Sequence, residues 1–140
     1  GFMSKRVRNK AERNPHIRLA GFTKDREELA CAYASADAML HGSAAETFGL
    51  GVAEALCSGL PVIAPGVGGA ADLVTSDSGA FYEPGDIREC ALQGLELLER
   101  PRAELVAGCR LAAGRINTVE NHFEQLFETY AQLAAKGETR

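Results

Sequence analysis

Tryptophan is absent from this chain of 140 residues, and only 6% of the residues are aromatic. No run approaches the ~18 consecutive apolar residues of a membrane span, so the sequence predicts no transmembrane helix. The composition, 46% hydrophobic and 24% charged, is typical of a globular domain. It excludes intrinsic disorder, collagen-like repeats and coiled coil. The length suits one domain.

Metal motifs are also missing. The chain contains no C-x-x-C pair and no adjacent histidine pair, so we expect no zinc site. Each cysteine lies in an apolar stretch of helical character. We therefore expect buried, reduced thiols, as in a cytoplasmic protein, rather than disulfides. The four are Cys31, Cys57, Cys90 and Cys109.

Positive charge is scarce except near the start of the chain. The net charge is −4, yet residues 1–26 contain eight Lys/Arg and two acids. Such a segment could bind an anionic surface. We favour the interpretation that these basic residues form the solvated face of one helix, because no aromatic residues are interleaved to stack on bases. The sequence therefore predicts no nucleic-acid partner.

Short apolar runs alternate with amphipathic stretches along the chain. Residues 17–21, 38–41, 60–64 and 79–82 are predicted strands. The predicted helices cover residues 3–13, 25–35, 49–58, 70–74, 87–99, 101–114 and 119–135, with Asp25 and Asp86 as N-caps and Gly59 as a C-terminal stop. This alternation indicates the α/β class with a doubly wound parallel sheet. Ligands bind such sheets at the carboxyl ends of the strands, here the loops 22–25, 42–49 and 65–69.

A loop of small and polar residues joins the second predicted strand to a helix. Gly49 and Gly51 at the start of that helix leave backbone N–H groups unobstructed. These donors, together with the helix dipole, favour a phosphate or a diphosphate. His41 ends the preceding strand. It either reaches the ligand or, as we favour, is a satisfied half-buried histidine.

Two glutamates flank this helix start. Glu46 lies in the loop, and Glu54 recurs with Leu50 and Cys57 at helical spacing, so we expect Glu54 to face a covered side. A carboxylate there needs hydrogen-bond donors, and a vicinal diol supplies two. Phosphates and hydroxyls together fit a nucleotide sugar. The residues leave a plainer alternative equally open, in which Glu46 complements the helix dipole and Glu54 is solvated.

A longer series of segments carries a family resemblance. It comprises Glu46-Thr47-Phe48-Gly49-Leu50, Glu54-Ala55-Leu56, Gly59-Leu60-Pro61-Val62-Ile63-Ala64, Gly68-Gly69 and Glu83-Pro84-Gly85-Asp86. In this order and at these intervals the series resembles the E-x7-E signature of retaining glycosyltransferases of family 4. Those enzymes have the GT-B fold, two Rossmann-like domains facing a cleft. Residues 12–100 are similar to the C-terminal, donor-binding domain.

The resemblance implies a role for each matching residue. Glu46 would contact the donor hexose as the catalytic residue, and Glu54 would accept hydrogen bonds from the ribose hydroxyls. Residues of the loop and the helix start would hold the donor sugar and its diphosphate, and a further loop would lie beside the base. The first group is Gly42, Ser43, Thr47, Phe48, Gly49 and Leu50, and the second is Gly21, Phe22 and Thr23. The implied substrate is a UDP- or GDP-hexose, and the implied chemistry needs no metal or other cofactor.

The chain departs from the family pattern by what it lacks. The first two strands of the domain, with the Arg and Lys that grip the diphosphate, have no counterpart here, and neither does the N-terminal acceptor domain. We therefore expect residues 1–140 to be one partial domain, inactive alone, whose parent enzyme is cytoplasmic. That parent could touch the inner face of the cell membrane through the absent domain. The alternative is a non-catalytic nucleotide-binding or interaction module derived from the same fold.

Overall fold

A parallel sheet forms the centre of the computed structural model, which describes residues 3–117 and 119–137. Its strands are β1 (Met39–Leu40), β2 (Val62–Pro65) and β3 (Gly79–Tyr82), in the order β1-β2-β3. Val62 pairs with Met39 on one side and Gly79 on the other. Parallel neighbours require crossover connections, which the helices between the strands supply.

The helices are α1 (Lys5–Glu12), α2 (Arg26–Ser35), α3 (Leu50–Cys57), α4 (Gly69–Leu73), α5 (Ile87–Glu99), α6 (Arg102–Ala113) and α7 (Val119–Gly137). The predicted caps are confirmed. Asp25 Oδ1 accepts the amide of Glu27 at 2.9 Å, and Asp86 Oδ1 accepts that of Glu89 at 2.9 Å. Gly59, just past the end of α3, has φ of +74°, which favours glycine.

The two faces of β2 are buried in different apolar clusters. Val62 and Ala64 pack with α3, α4 and α6, whereas Ile63 packs with Leu97 of α5 and Leu105 of α6. Successive side chains of a strand point to opposite faces, so both sides of the sheet are covered. The prediction of a doubly wound α/β fold is confirmed.

The prediction of a strand at residues 17–21 is wrong. Those residues have no regular secondary structure, because no described strand lies beside them to complete a ladder. The sheet instead ends at β1, where Leu40 is 61% exposed. The structure thus has three of the four predicted strands, and β1 is an open edge.

The prediction of four buried thiols is also wrong in part. Cys109 is buried and Cys90 is half-buried, whereas Cys31 and Cys57 are exposed. The exposed pair lies on helix faces directed away from the sheet. All four are free thiols, as predicted.

No helix within residues 3–117 and 119–137 is both long enough and apolar enough to cross a bilayer.

Candidate functional site

Two loops at the carboxyl ends of β1 and β2 are joined by their backbones. The amide of Gly69 donates to the carbonyl of Glu46 at 2.8 Å. A Cβ placed on Gly69 would lie 2.1 Å from the carbonyl oxygen of Thr47, and one on Gly68 would lie 3.1 Å from that of Ala44. Only glycine permits this approach, so the glycine pair sets the position of the loop that contains Glu46.

The start of α3 is left without a side-chain cap. Its N-cap is Gly49, with φ of +87° and no side-chain hydrogen bond. By contrast, Ser4, Asp25 and Asp86 cap their helices with a side-chain oxygen. The first amides of a helix have no intrahelical acceptor, so those of α3 remain available to an anion.

Glu46 is a half-buried carboxylate beside this helix start. Its Oε1 accepts the amide of Thr47 at 3.2 Å, so the side chain bends back over its own loop. A Cβ on Gly49 would lie 3.5 Å from Glu46 Cγ, which places the carboxylate stem against the N-cap. Rotation of Glu46 away from Thr47 would expose one more backbone amide to a ligand.

The expected covered position of Glu54 is wrong. Glu54 and Cys57 are exposed, and Leu50 is 70% exposed. The buried residues of α3 are Val52, Ala53, Ala55 and Leu56. The stripe containing Glu54 lies opposite Val52, Ala55 and Leu56, because these take up the side that packs on the sheet.

Glu54 nevertheless lines a cavity between α2 and α3. The cavity has a volume of about 300 Å³, and its walls include Arg26, Leu29, Tyr33, Glu54, Cys57 and Ser58. Burial raises the pKa of the Tyr33 phenol, and the charge of Glu54 and a hydrogen bond to that carboxylate raise it further. Tyr33 therefore keeps its proton, which it can donate to Glu54. Tyr33 is not among the site residues predicted from the sequence, because nothing local to α2 links it to Glu54.

His41 does not fit the favoured prediction of a satisfied histidine. Its backbone is well bonded, because the amide donates to Ile63 at 2.9 Å and the carbonyl accepts the hydroxyl of Tyr82 at 3.0 Å. Its side-chain Nε2 is buried, with no hydrogen-bond partner within the described residues. A buried Nε2 is out of reach of a ligand in this conformation.

The remaining predicted residues lie on exposed loops. Gly42 and Ser43 are exposed on the loop after β1. Gly21 has φ of +82°, and the adjoining Phe22 is 81% exposed. Thr23 accepts the amide of Asp25 at 3.1 Å and donates to Glu28, which ties this loop to the start of α2. Among the residues described, no hydrogen bond joins the loop at Gly21 to the loop at Glu46.

A metal centre is not found in residues 3–117 and 119–137. No group of three or more His, Cys, Asp or Glu side chains there is placed to hold an ion.

Uncapped helix amides and the Glu46 carboxylate lie at the carboxyl ends of parallel strands. This arrangement defines a class, the α/β domains that bind polar ligands where their strands end. Residues 3–115 match the family model of the group 1 glycosyl transferases. The chain belongs to that family.

Two relatives show how the similarity is distributed. Sulfoquinovosyl transferase SQD2 of Arabidopsis thaliana is 40% identical over 85 residues, which are 57% of this chain and 17% of the relative. A GDP-mannose-dependent alpha-mannosyltransferase of Mycobacterium tuberculosis is 59% identical over 49 residues, which are 35% of this chain and 13% of the relative. The matched residues thus make up less than a fifth of each of these enzymes.

Solved structures give the same assignment. Sucrose-phosphate synthase from Thermosynechococcus elongatus superposes with a TM-score of 0.78 at 28% identity, over 94% of this chain and 34% of that one. The Anabaena protein HepE, in complex with UDP and glucose, superposes with a TM-score of 0.71 at 26% identity, over 91% of this chain and 36% of that one. The fold is that of the GT-B glycosyltransferases, as the resemblance implied.

Proposed function

We propose that this chain is the donor-binding part of a GT-B glycosyltransferase and binds a UDP- or GDP-hexose. Its parent would transfer the hexose, with retention of anomeric configuration, to a glycan, lipid or small-molecule acceptor. Such a reaction belongs to polysaccharide or glycolipid synthesis. Residues 1–140 would form a partial domain, inactive without the acceptor domain and the cationic diphosphate clamp.

One observation supports this proposal above the others. The backbone contact of Gly69 with the Glu46 loop holds a carboxylate beside the uncapped start of α3. Acids beside amides that attract anions suit a ligand with both phosphates and hydroxyls. HepE, bound to UDP and glucose in its solved structure, is a relative whose ligands are of this kind.

In the proposed complex, the amides of Thr47, Phe48, Gly49 and Leu50 hold the diphosphate and sugar, with Gly42 and Ser43 beside them. Glu46 contacts hexose hydroxyls near the reacting carbon. The Glu54 carboxylate accepts the two ribose hydroxyls. The loop of Gly21, Phe22 and Thr23 lies beside the base, where the exposed Phe22 ring adds an apolar face.

The proposed chemistry is electrostatic. In glycosyl transfer the bond from the anomeric carbon to the diphosphate oxygen breaks, and negative charge grows on the leaving diphosphate. Fixed helix amides aimed at that charge stabilise it without reorganising. Glu46 lies within the same loop and stabilises positive charge on the sugar. We propose that no metal is needed, because the helix amides and the Arg and Lys of the parent enzyme supply the positive charge that stabilises the diphosphate.

Calorimetry on the 140-residue chain with UDP-glucose, UDP-GlcNAc and GDP-mannose tests the proposal. We expect saturable binding of at least one nucleotide sugar. Glu54→Gln should weaken it at least about tenfold, since a hydrogen bond to a charged group contributes about 1.5–3 kcal/mol. The matched control is Glu99→Gln, because Glu99 is exposed at the end of α5, outside the site.

The outcomes separate the two functions. Binding that is weakened by Glu54→Gln and unchanged by Glu99→Gln supports donor recognition. Indifference to every nucleotide sugar contradicts it. Binding without transfer in a longer protein that includes the acceptor domain would favour the non-catalytic module.

A further inference from the structure

We propose that Tyr33 is a positioning residue: its hydroxyl fixes the Glu54 carboxylate in the orientation that accepts the ribose diol. This inference rests on the proposed function, because it assigns a support to the group proposed to bind ribose. It concerns a residue on α2, outside the E-x7-E segment.

The geometry brings the hydroxyl to the face of α3 on which Glu54 lies. A Cβ placed on Gly51 would lie 3.7 Å from the Tyr33 hydroxyl oxygen and 3.6 Å from Met39 Cε. Positions 51 and 54 are neighbours on a helix surface. The Tyr33 hydroxyl therefore lies within one turn of Glu54 along α3.

The surroundings make the tyrosine the more rigid partner. Tyr33 is half-buried and packs against the apolar cluster beneath α3, whereas Glu54 is exposed and has a longer side chain with more rotamers. An exposed glutamate loses rotamer freedom when it binds a ligand. A hydrogen bond from a packed phenol removes part of that freedom beforehand.

The carboxylate retains the capacity for both partners. An ionised carboxylate has about four lone-pair sites. The phenol hydroxyl uses one, and the two hydroxyls of a ribose use two more. The cavity of about 300 Å³ is lined by both residues and opens beside the carboxylate, so a sugar can approach without displacing the tyrosine.

Affinities for UDP and for 2′,3′-dideoxy-UDP test the inference in four proteins. These are the unmodified chain, Tyr33→Phe, Glu54→Gln and the control Tyr82→Phe. Tyr82 is matched because its hydroxyl also makes a hydrogen bond, to the His41 carbonyl at 3.0 Å. Thermal unfolding of each variant reports whether it folds.

We expect the unmodified chain to bind UDP at least tenfold more tightly than the dideoxy analogue. Tyr33→Phe should weaken UDP binding about three- to tenfold and leave the affinity for the analogue within about twofold. Tyr82→Phe should keep the full preference for UDP. A purely structural tyrosine would weaken both ligands equally.

Two failures are distinguishable. The positioning role is overturned if Tyr33→Phe keeps the preference for UDP while Glu54→Gln loses it. It is also overturned if Tyr33→Phe weakens the binding of both ligands equally. In either case the proposed function stands. If Glu54→Gln keeps the preference, the proposed ribose site fails, and the role of Tyr33 fails with it.

Discussion

Replacement of Gly69 by alanine perturbs the contact that holds the candidate site together. The new Cβ would lie 2.1 Å from the Thr47 carbonyl oxygen, 2.5 Å from its carbon and 2.8 Å from the Phe48 amide nitrogen. Ordinary contacts lie near about 3.5 Å, so the loop must retreat by more than about 1 Å. All three atoms belong to backbone, and no side-chain rotation relieves the overlap.

The cost follows from two contributions. Overpacking costs about 1–3 kcal/mol, and loss of the hydrogen bond from Gly69 to Glu46 costs about 1 kcal/mol more. We expect the free energy of unfolding to fall by roughly 2–4 kcal/mol, and Tm by roughly 6–15 °C. Because the displaced loop contains Glu46, UDP-glucose should bind roughly 10- to 100-fold more weakly, as expected for a misplacement of about 1 Å.

Chemical denaturation, thermal unfolding and calorimetry measure these effects. Gly114→Ala is the control, since Gly114 has φ of −64° and its Cβ would meet the Arg110 and Leu111 carbonyl oxygens at 3.5 and 3.6 Å. That variant should be neutral or slightly stabilised. A Gly69→Ala protein with unchanged stability and affinity would refute the idea that this backbone contact sets the loop.

Three further predictions follow from burial and charge. Leu56→Ala should lower the free energy of unfolding by about 2–5 kcal/mol, because Leu56 is fully buried. Leu50→Ala should lower it by less than about 0.5 kcal/mol, because Leu50 is 70% exposed. Equal losses in urea titrations would contradict the assigned faces of α3. Burial raises the pKa of the Cys109 thiol from 9.0 to about 11, so the fold retains a proton that the unfolded chain releases. The thiol's contribution to the free energy of unfolding is fully present below pH 9 and should fall by roughly 2–3 kcal/mol toward pH 11. Denaturation curves of Cys109→Ala should lack that part of the pH dependence. EDTA should leave the affinity for UDP-glucose unchanged within about twofold, and restoration of a lost affinity by Mg²⁺ would refute metal-independent binding.

Local signals predicted the parts of the fold that depend on local chemistry. Asp25 and Asp86 cap their helices because a carboxylate satisfies free amides wherever a helix begins. The bounds of β3 and α5 also match their predictions, since turn residues and a capping aspartate delimit both. Neither result required knowledge of the rest of the molecule.

Long-range partners determined what the sequence could not predict. Residues 17–21 have the composition of a strand, but a strand exists only beside a neighbour. The face of Glu54 was predicted from the apolar character of Leu50 and Cys57, yet α3 packs through Val52, Ala55 and Leu56. Which stripe is covered depends on where the helix sits on the sheet, and spacing alone does not specify that.

The candidate site, too, could be predicted from the sequence only where it depends on local residues. The spacing of Glu46 and Gly49 predicted an acid beside a helix start, and Glu46 lies against the N-cap of α3. Glu54 lines the separate cavity between α2 and α3. Tyr33 and Glu54 lie on two different helices and are 21 positions apart in the chain. Their proximity follows from the packing of α2 on α3, so no local pattern could have indicated it.

Titration of the ¹⁵N-labelled 140-residue chain with UDP-glucose, followed by amide chemical shifts, tests the central claim most directly. The account predicts saturable shifts that cluster at residues 46–51, Glu54 and Tyr33, and that weaken in Glu54→Gln. Amides of α7 should not move. Absence of saturable shifts, or shifts confined to residues outside α2, α3 and the loop that precedes α3, would contradict the account.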